Sequence, residues 1–230
     1  MIGILGGMGT QAGLDFCNKL AKLNKGKNDQ KYPLFLLYNK SNIPGRPENL
    51  HRYKKVLKSL LDGCKFLEKN RCKFIVIPCN TAHHWYDDLA RKVKIPIISM
   101  PKEVYLHTKK TCKKNSKIGI LCTEATLKTK VYSKYFNKHF NLVSPSKSLQ
   151  ISSVNKAIRL VKTGKVKEAE KAIKPAVNHL IKINCKKIIL GCTELPIAIF
   201  AYKSFKKIKK SKTFIDPNLL LASVSMKKYK

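Results

Sequence analysis

Apolar residues in this chain follow two rhythms that alternate. Short β-type runs at 2–5, 34–38, 74–77 and 95–98 precede stretches with helical spacing, such as Leu14, Cys17, Leu20, Ala21 and Leu23 after the first run. Further helices are expected over 48–69, 82–92 and 102–113. A second series opens with a strand over 117–121 and a helix over 125–137, then a short strand at 142–143. Helices over 152–161 and 166–183 follow, then a strand over 187–190 and a helix over 195–202. The lysine-rich run 203–212 reads as a surface linker or helix end, and 214–215 with 217–226 as one more strand and helix.

Strand and helix in alternation predict parallel sheets covered by helices, because each crossover returns the chain to the same edge direction. The restart near residue 117 predicts an α/β protein of two lobes. The expected division is 1–101, carrying the Gly-rich loop and Cys79; 102–210, carrying Cys192; and a C-terminal segment, 211–230, packing back on the first lobe. Ligands in such folds bind outside the carboxyl ends of the strands, where loops converge.

Composition sharpens this reading in three ways. At 230 residues and 43% hydrophobic, the chain can bury a real core, which argues against a disulfide-stapled miniprotein or a disordered chain. The net charge of +35, from 48 Lys and Arg against 13 Asp and Glu, invites a nucleic-acid reading. Only five of the 48 are Arg, at 46, 52, 71, 91 and 159, and base readout leans on Arg forks, so the balance supports non-specific phosphate attraction at most. No run is long and apolar enough for a membrane span, and the first basic residue is Lys19, so the N-terminus lacks a signal peptide's charged lead. A cytoplasmic location and reduced thiols are therefore expected for the eight Cys, none of which forms a CxxC pair.

Candidate chemistry gathers at the strand ends. The first strand runs into Gly6-Gly7-Met8-Gly9, a turn whose amides suit an anion. It is not a Rossmann fingerprint: counting from Gly3, GxGxxG puts Met8 where the last Gly belongs. The strand 74–77 ends in Pro78-Cys79-Asn80-Thr81-Ala82-His83, and 187–190 ends in Gly191-Cys192-Thr193-Glu194-Leu195. Each lobe thus offers a Cys at a strand-to-helix junction, where the helix dipole and free N–H groups are expected to lower a thiol's pKa. Two such thiols on opposite faces of one carbon would invert it, one removing a proton as thiolate and the other returning one as thiol. The other six, Cys17, Cys64, Cys72, Cys112, Cys122 and Cys185, read as small buried apolar residues.

Residues 2–9 (IGILGGMG), 78–83 (PCNTAH) and 191–195 (GCTEL) together resemble the three motifs of the aspartate/glutamate racemase superfamily, its aspartate racemase branch in particular. The resemblance spans nearly the whole chain. It implies two Rossmann-like lobes related by a pseudo-two-fold axis, an active site in the cleft between them, a two-base mechanism without pyridoxal phosphate or other cofactor, and a homodimer. Cys79 and Cys192 match the two proton carriers. Asn80, Thr81 and Thr193 match positions that hold the substrate's α-carboxylate, and Met8 matches a ligand-lining position. The segment 42–46 resembles the loop carrying a substrate-binding Arg, here Arg46, while Lys162 resembles a second carboxylate-binding cation and Thr123 a position at the cleft mouth. A small dicarboxylic amino acid is the implied substrate, since Arg46 offers a bidentate fork and Lys162 a point charge.

Two departures bear on substrate choice: Gly45 stands where the family usually has Asp, and Thr10 where Pro is frequent. Against the glutamate branch, the first loop lacks Asp-Ser and Glu194 replaces His. Glu194 can orient Cys192, although a neighbouring carboxylate raises a thiol's pKa. His83 and His84 would point in different directions from a helix start, so no metal site is expected, and His83 is expected to pack or hydrogen-bond behind Cys79. The alternatives are a glutamate or hydantoin racemase, a maleate isomerase or a decarboxylase of the same superfamily, and, from another class, a basic nucleic-acid-binding protein.

Overall fold

A computed structural model describes residues 1–24, 28–200 and 213–229. The chain divides into two compact units, one of 1–103 with 218–230 and one of 104–217. The lysine-rich run 203–212 and the end of the helix expected to reach 202 lie outside the described residues.

The first unit opens with strand β1 (Ile2–Gly6) and helix α1 (Thr10–Leu23), then β2 (Phe35–Asn39), α2 (Tyr53–Lys69), β3 (Phe74–Val76), α3 (Tyr86–Lys92), β4 (Ile97–Ile98) and the start of α4 (Met100–Thr111). Its four strands are all parallel, in the order β2-β1-β3-β4. β1 is apolar on both faces because both are covered. Ile2 and Ile4 pack with Phe16 and Leu20 of α1, while Leu5, on the other face, packs with Val56, Leu60 and Leu67 of α2. The buried positions of α2, at 56, 60, 63, 64 and 67, recur at the i, i+4, i+7 spacing of one helix face. Each such fully buried Leu or Ile contributes about 1.5–3 kcal/mol.

The second unit continues with β5 (Lys117–Cys122), α5 (Glu124–Lys128), α6 (Ser133–Phe136), β6 (Asn141–Val143), α7 (Lys147–Leu149), α8 (Lys156–Lys162), α9 (Val166–Lys182), β7 (Lys187–Gly191), α10 (Leu195–Phe200) and β8 (Phe214–Ile215). Its sheet repeats the first unit's order, as β6-β5-β7-β8, again all parallel. Its core gathers Leu121, Ile188 and Leu190 from the sheet with Val161, Ile173, Val177 and Leu180 from α8 and α9.

Three sequence expectations differ in detail. The helix expected over 125–137 is two short helices, interrupted where Lys130 adopts a left-handed φ of 53°. The helix expected from 152 begins as a π-helical turn, Gln150–Asn155, before α8. The segment 211–230 does not pack as one piece on the first lobe. Phe214–Ile215 pairs with Ile188 and Ile189 in the second sheet, and only the following helix, α11 (Pro217–Tyr229), joins the first unit. There Leu221 and Ala222 pack with Ile2, Phe16 and Phe74, and Asn218 donates to the Ala12 carbonyl at 3.1 Å. Ile215 is an apolar edge-strand residue, and pairing satisfies a backbone that packing alone would strand.

Candidate active site

Each sheet has a topological switch point between its two central strands, β1 and β3 in the first unit, β5 and β7 in the second. The Gly-rich loop follows β1 and Cys79 follows β3; Thr123 follows β5 and Cys192 follows β7. Met8, Cys79, Asn80, Thr81, Thr123, Cys192 and Thr193 therefore flank the two switch points, whereas Arg46 lies on the chain after β2 and Lys162 ends α8.

In the first unit the Gly-rich turn is shaped by contact rather than by a cofactor motif. Gly7 has φ 86°, and a Cβ there would lie 2.2 Å from the Lys40 carbonyl carbon, so the turn lies directly against the chain leaving β2. That chain leads to Arg46. Met8, Ile43 and Cys79 all belong to the apolar cluster under α2, and Asn80 and Thr81 are buried beside Cys79. Arg46 is only 8% exposed. Its Nη1 donates to the carbonyls of Ile43 (3.4 Å) and Pro44 (3.1 Å), while its buried Nε has no acceptor. No carboxylate among the described residues pairs with this guanidinium. A buried cation with a vacant donor edge suits an incoming carboxylate. At Gly45, a Cβ would meet Glu48 Oε2 at 2.3 Å, so the Glu48 carboxylate stands where a side chain at 45 would go.

Cys79 is not followed by an α-helix. A 3-10 turn, Thr81–Trp85, comes first and α3 begins only at Tyr86. Its amide donates to the Ile77 carbonyl at 2.7 Å. His83 bonds behind it, with Nδ1 2.9 Å from the Cys79 carbonyl oxygen.

In the second unit Cys192, Thr193 and Glu194 are all buried. The Cys192 thiol donates to Glu194 Oε2 at 3.0 Å, and Thr193 Oγ1 donates to the same oxygen at 3.3 Å. The thiol's pKa is pushed well above its ordinary value, first by burial and then by the Glu194 charge and hydrogen bond, against smaller opposing effects of the Glu194 amide and the Lys162 ammonium. This reverses the lowering expected from a helix N-terminus at Cys192: α10 is a short helix, and one adjacent carboxylate with full burial outweighs its dipole. Lys162, an exposed residue ending α8, lies within electrostatic reach of that thiol. Thr123 caps α5, its Oγ1 accepting from the Thr126 amide at 3.2 Å. Of the cysteines expected to be buried, Cys17 and Cys112 are partly exposed, and all eight are free thiols.

Several neighbours of these residues carried no sequence signal. Tyr132 is buried near Cys192, and its phenol is held well above its ordinary pKa by burial and by the charges of Cys122, Asp216 and Cys192, so it stays an O–H donor. Gln150, in the π-helical turn, donates to the Cys122 carbonyl at 2.8 Å and to Asn155 at 2.9 Å, and Asn155 donates in turn to Glu124. Both depend on contacts distant in sequence, which periodicity does not report. Among the described residues no cluster of His, Cys, Asp or Glu is arranged to hold a metal ion, and no helix is long and apolar enough to cross a membrane.

Comparison with known proteins agrees with this architecture. Residues 5–224 match the profile of the Asp/Glu/Hydantoin racemase family. The broad specificity amino-acid racemase RacX of Bacillus subtilis is 28% identical over 199 residues, 85% of this chain and 86% of that protein. The aspartate racemase of Picrophilus torridus superposes with a TM-score of 0.85 at 29% identity, covering 99% of this chain and 93% of the other. The glutamate racemase of Carboxydothermus hydrogenoformans is 26% identical over 72% of this chain and 60% of its own length. With two four-stranded parallel sheets of one order and a family match across nearly its full length, the chain belongs to the Asp/Glu/Hydantoin racemase family and is an isomerase, a racemase.

Proposed function

We propose that this racemase interconverts L- and D-aspartate, in the cytoplasm and without a cofactor, by two-base exchange at Cα with Cys79 and Cys192 as the proton carriers. The observation that carries this reading is that both thiols follow the third strand of sheets with the same strand order, at equivalent switch points. In one direction the Cys79 thiolate takes the Cα proton, breaking C–H and forming S–H, and the Cys192 thiol gives its proton to the opposite face. The hydrogen bond to Glu194 and the raised pKa favour Cys192 as the resting acid. For the other enantiomer, Cys192 must first lose its proton, which the Lys162 ammonium assists.

Arg46 supports a substrate with a distal carboxylate, because its buried Nε lacks an acceptor. Asn80, Thr81 and Thr193 are proposed to hold the α-carboxylate, with Met8 and Thr123 lining the ligand. The relatives carry names of aspartate, glutamate and broad-specificity racemases; Glu194 beside Cys192, in place of the His of the glutamate branch, favours aspartate here. A homodimer is proposed as well, since exposed apolar side chains on α1, on the edge strand β2 and just before it, such as Leu14, Phe35 and Leu34, are of the kind such an interface covers. The +35 charge is read as a field that speeds the approach of an anionic substrate rather than as a nucleic-acid footprint.

Solvent-deuterium exchange at Cα, followed by NMR over L- and D-aspartate, glutamate, asparagine and alanine without added cofactor, tests the proposal. Exchange with both aspartate enantiomers, and with neither asparagine nor alanine, supports it. Exchange with alanine alone, or a covalent cysteine adduct of a cis-diacid seen by mass spectrometry, overturns it in favour of another member of the family.

A further inference from the structure

We propose that His83 is a positioning residue for Cys79, its imidazole tying the Cys79 carbonyl to the first amide of α4 and so fixing where the thiol is presented. The inference rests on the reading of Cys79 as a proton carrier.

Cys79 sits on backbone that belongs to neither strand nor helix, between the end of β3 and the 3-10 turn at Thr81. A ladder does not hold it, so its buried polar groups need other partners. On one side its amide donates to the Ile77 carbonyl at 2.7 Å; on the other its carbonyl faces His83 Nδ1 at 2.9 Å. The opposite ring nitrogen, Nε2, accepts from the Met100 amide at 3.1 Å. An N–H donor at Met100 requires Nε2 to be the bare nitrogen, which places the ring proton on Nδ1, donating to Cys79. The neutral imidazole thus serves both bonds in one tautomer. Met100 opens α4, so its amide is one of those a helix leaves without an internal partner.

The surroundings hold the ring in this pose. His83 is 2% exposed, Met100 is fully buried, and the imidazole stacks against Tyr86 with centroids 6.1 Å apart. The His83 amide itself donates to the Asn80 carbonyl at 3.1 Å, so the segment that carries the ring also closes the turn over Asn80. The loop after β3 is thereby referenced to the loop after β4, two neighbouring strands of one sheet. Proton transfer is sensitive to such referencing, because a thiol displaced by about 1 Å can lose on the order of 100-fold in rate.

The two bonds can be separated by substitution in the full chain. In His83→Asn the amide nitrogen replaces Nδ1 and keeps the link to Cys79; in His83→Gln the amide oxygen replaces Nε2 and keeps only the link to Met100. Two readouts apply. The first is the ratio of iodoacetamide alkylation at Cys79 to that at Cys192, resolved by mass spectrometry. The second is racemisation of Cα-deuterated L- and D-aspartate. For His83→Gln the ratio is expected to change by about threefold or more, and kcat to fall about 10- to 100-fold with KM within about twofold and a larger isotope effect in one direction only. His83→Asn, which leaves the Met100 amide without its acceptor, is expected to move both readouts in the same sense, because a tie cut at either end no longer references the loop after β3 to α4. A partly unfolded population would lower rate while leaving KM and the isotope effect unchanged, which separates positioning from stability. An alkylation ratio and kcat like those of the unsubstituted protein in either variant overturns the inference. A Cys79→Ala control that still racemises aspartate would overturn the catalytic reading of Cys79, and the alkylation ratio would still decide the link between His83 and Cys79.

Discussion

The Cys192 thiol donates to the Glu194 carboxylate at 3.0 Å inside the second unit, and both residues are buried. A carboxylate in that position favours the thiol over the thiolate, as burial also does, while the Lys162 ammonium acts in the opposite sense. The Glu194 and Lys162 effects have opposite signs. In Glu194→Gln the pH at which Cys192 becomes half-alkylated by iodoacetamide is expected to move down, because the opposing negative charge is gone. In Lys162→Met it is expected to move up. Measuring the alkylation rate of Cys192 against pH in the three proteins checks both directions, and a shift of the same sign in both variants contradicts the assignment.

Loss of either thiol separates racemisation from exchange. Cys79→Ala and Cys192→Ala are each expected to lower aspartate racemisation by at least about 100-fold, the contribution of one acid–base group. Each variant is expected to retain Cα exchange with solvent for one enantiomer alone, and for opposite enantiomers in the two variants. NMR in deuterated water reads this out directly.

Arg46 is buried with no counter-ion among the described residues, a stability cost that binding would relieve. Arg46→Met is therefore expected to raise the midpoint of thermal unfolding while raising KM for aspartate about 10-fold or more, the loss of a charge-assisted pair of about 1.5–3 kcal/mol. Calorimetry and steady-state kinetics on the same preparation check the two halves. A variant that is both less stable and unchanged in KM refutes the role.

Gly7→Ala tests whether the Gly-rich turn is a packing device. Its Cβ would fall 2.2 Å from the Lys40 carbonyl carbon and 2.3 Å from its oxygen, at a φ of 86° that L side chains rarely adopt. Backbone atoms must move to relieve this, so a loss of about 2 kcal/mol or more in urea unfolding is expected. An equivalent stability in Gly7→Ala would mean that the contact with the chain after β2 is dispensable.

Alkaline pH should destabilise the fold through buried thiols. Burial, with a smaller contribution from Glu68, pushes Cys64 up to about 12, and burial pushes Cys17 up to about 11, both from 9.0. Between those limits the folded state keeps protons that the unfolded chain releases, so stability is full below about pH 9 and falls as pH rises toward 11–12. The slope is at most about 1.4 kcal/mol per pH unit for each group. Urea midpoints at pH 8 and pH 10.5 should show the decline, and Cys64→Ala should flatten it.

Much of the candidate site was readable before the fold was known. Cys79 and Cys192 stand at strand ends because apolar runs of β-type residues stop at Pro78 and Gly191, and local punctuation of this kind survives in any tertiary context. Arg46 is singled out by the resemblance of its loop, but its burial is not legible there, since that depends on Ile43 entering the cluster under α2. Tyr132 and Gln150 escaped notice because their neighbours, Cys192 and Cys122, are far from them in sequence. For Cys192 the sequence offers two opposed influences, the helix dipole and the Glu194 carboxylate, and burial, which only the fold supplies, joins Glu194 to raise the pKa.

The sequence by itself determined the element types, the parallel α/β class, the restart near residue 117 and the motifs that define the family. The first three follow from spacings of two and 3.6 residues and from Gly and Pro at turns, which act over a few residues, while the motifs were legible as a resemblance. Tertiary structure alone decided that both sheets share one strand order, that Phe214–Ile215 joins β7 while α11 returns to β1 and α1, that the Arg46 guanidinium is buried with a vacant Nε, and that His83 links Cys79 to Met100. Each of these is a meeting of groups separated along the chain, and their energies come from desolvation and hydrogen bonding that arise only once the two partners share one buried volume.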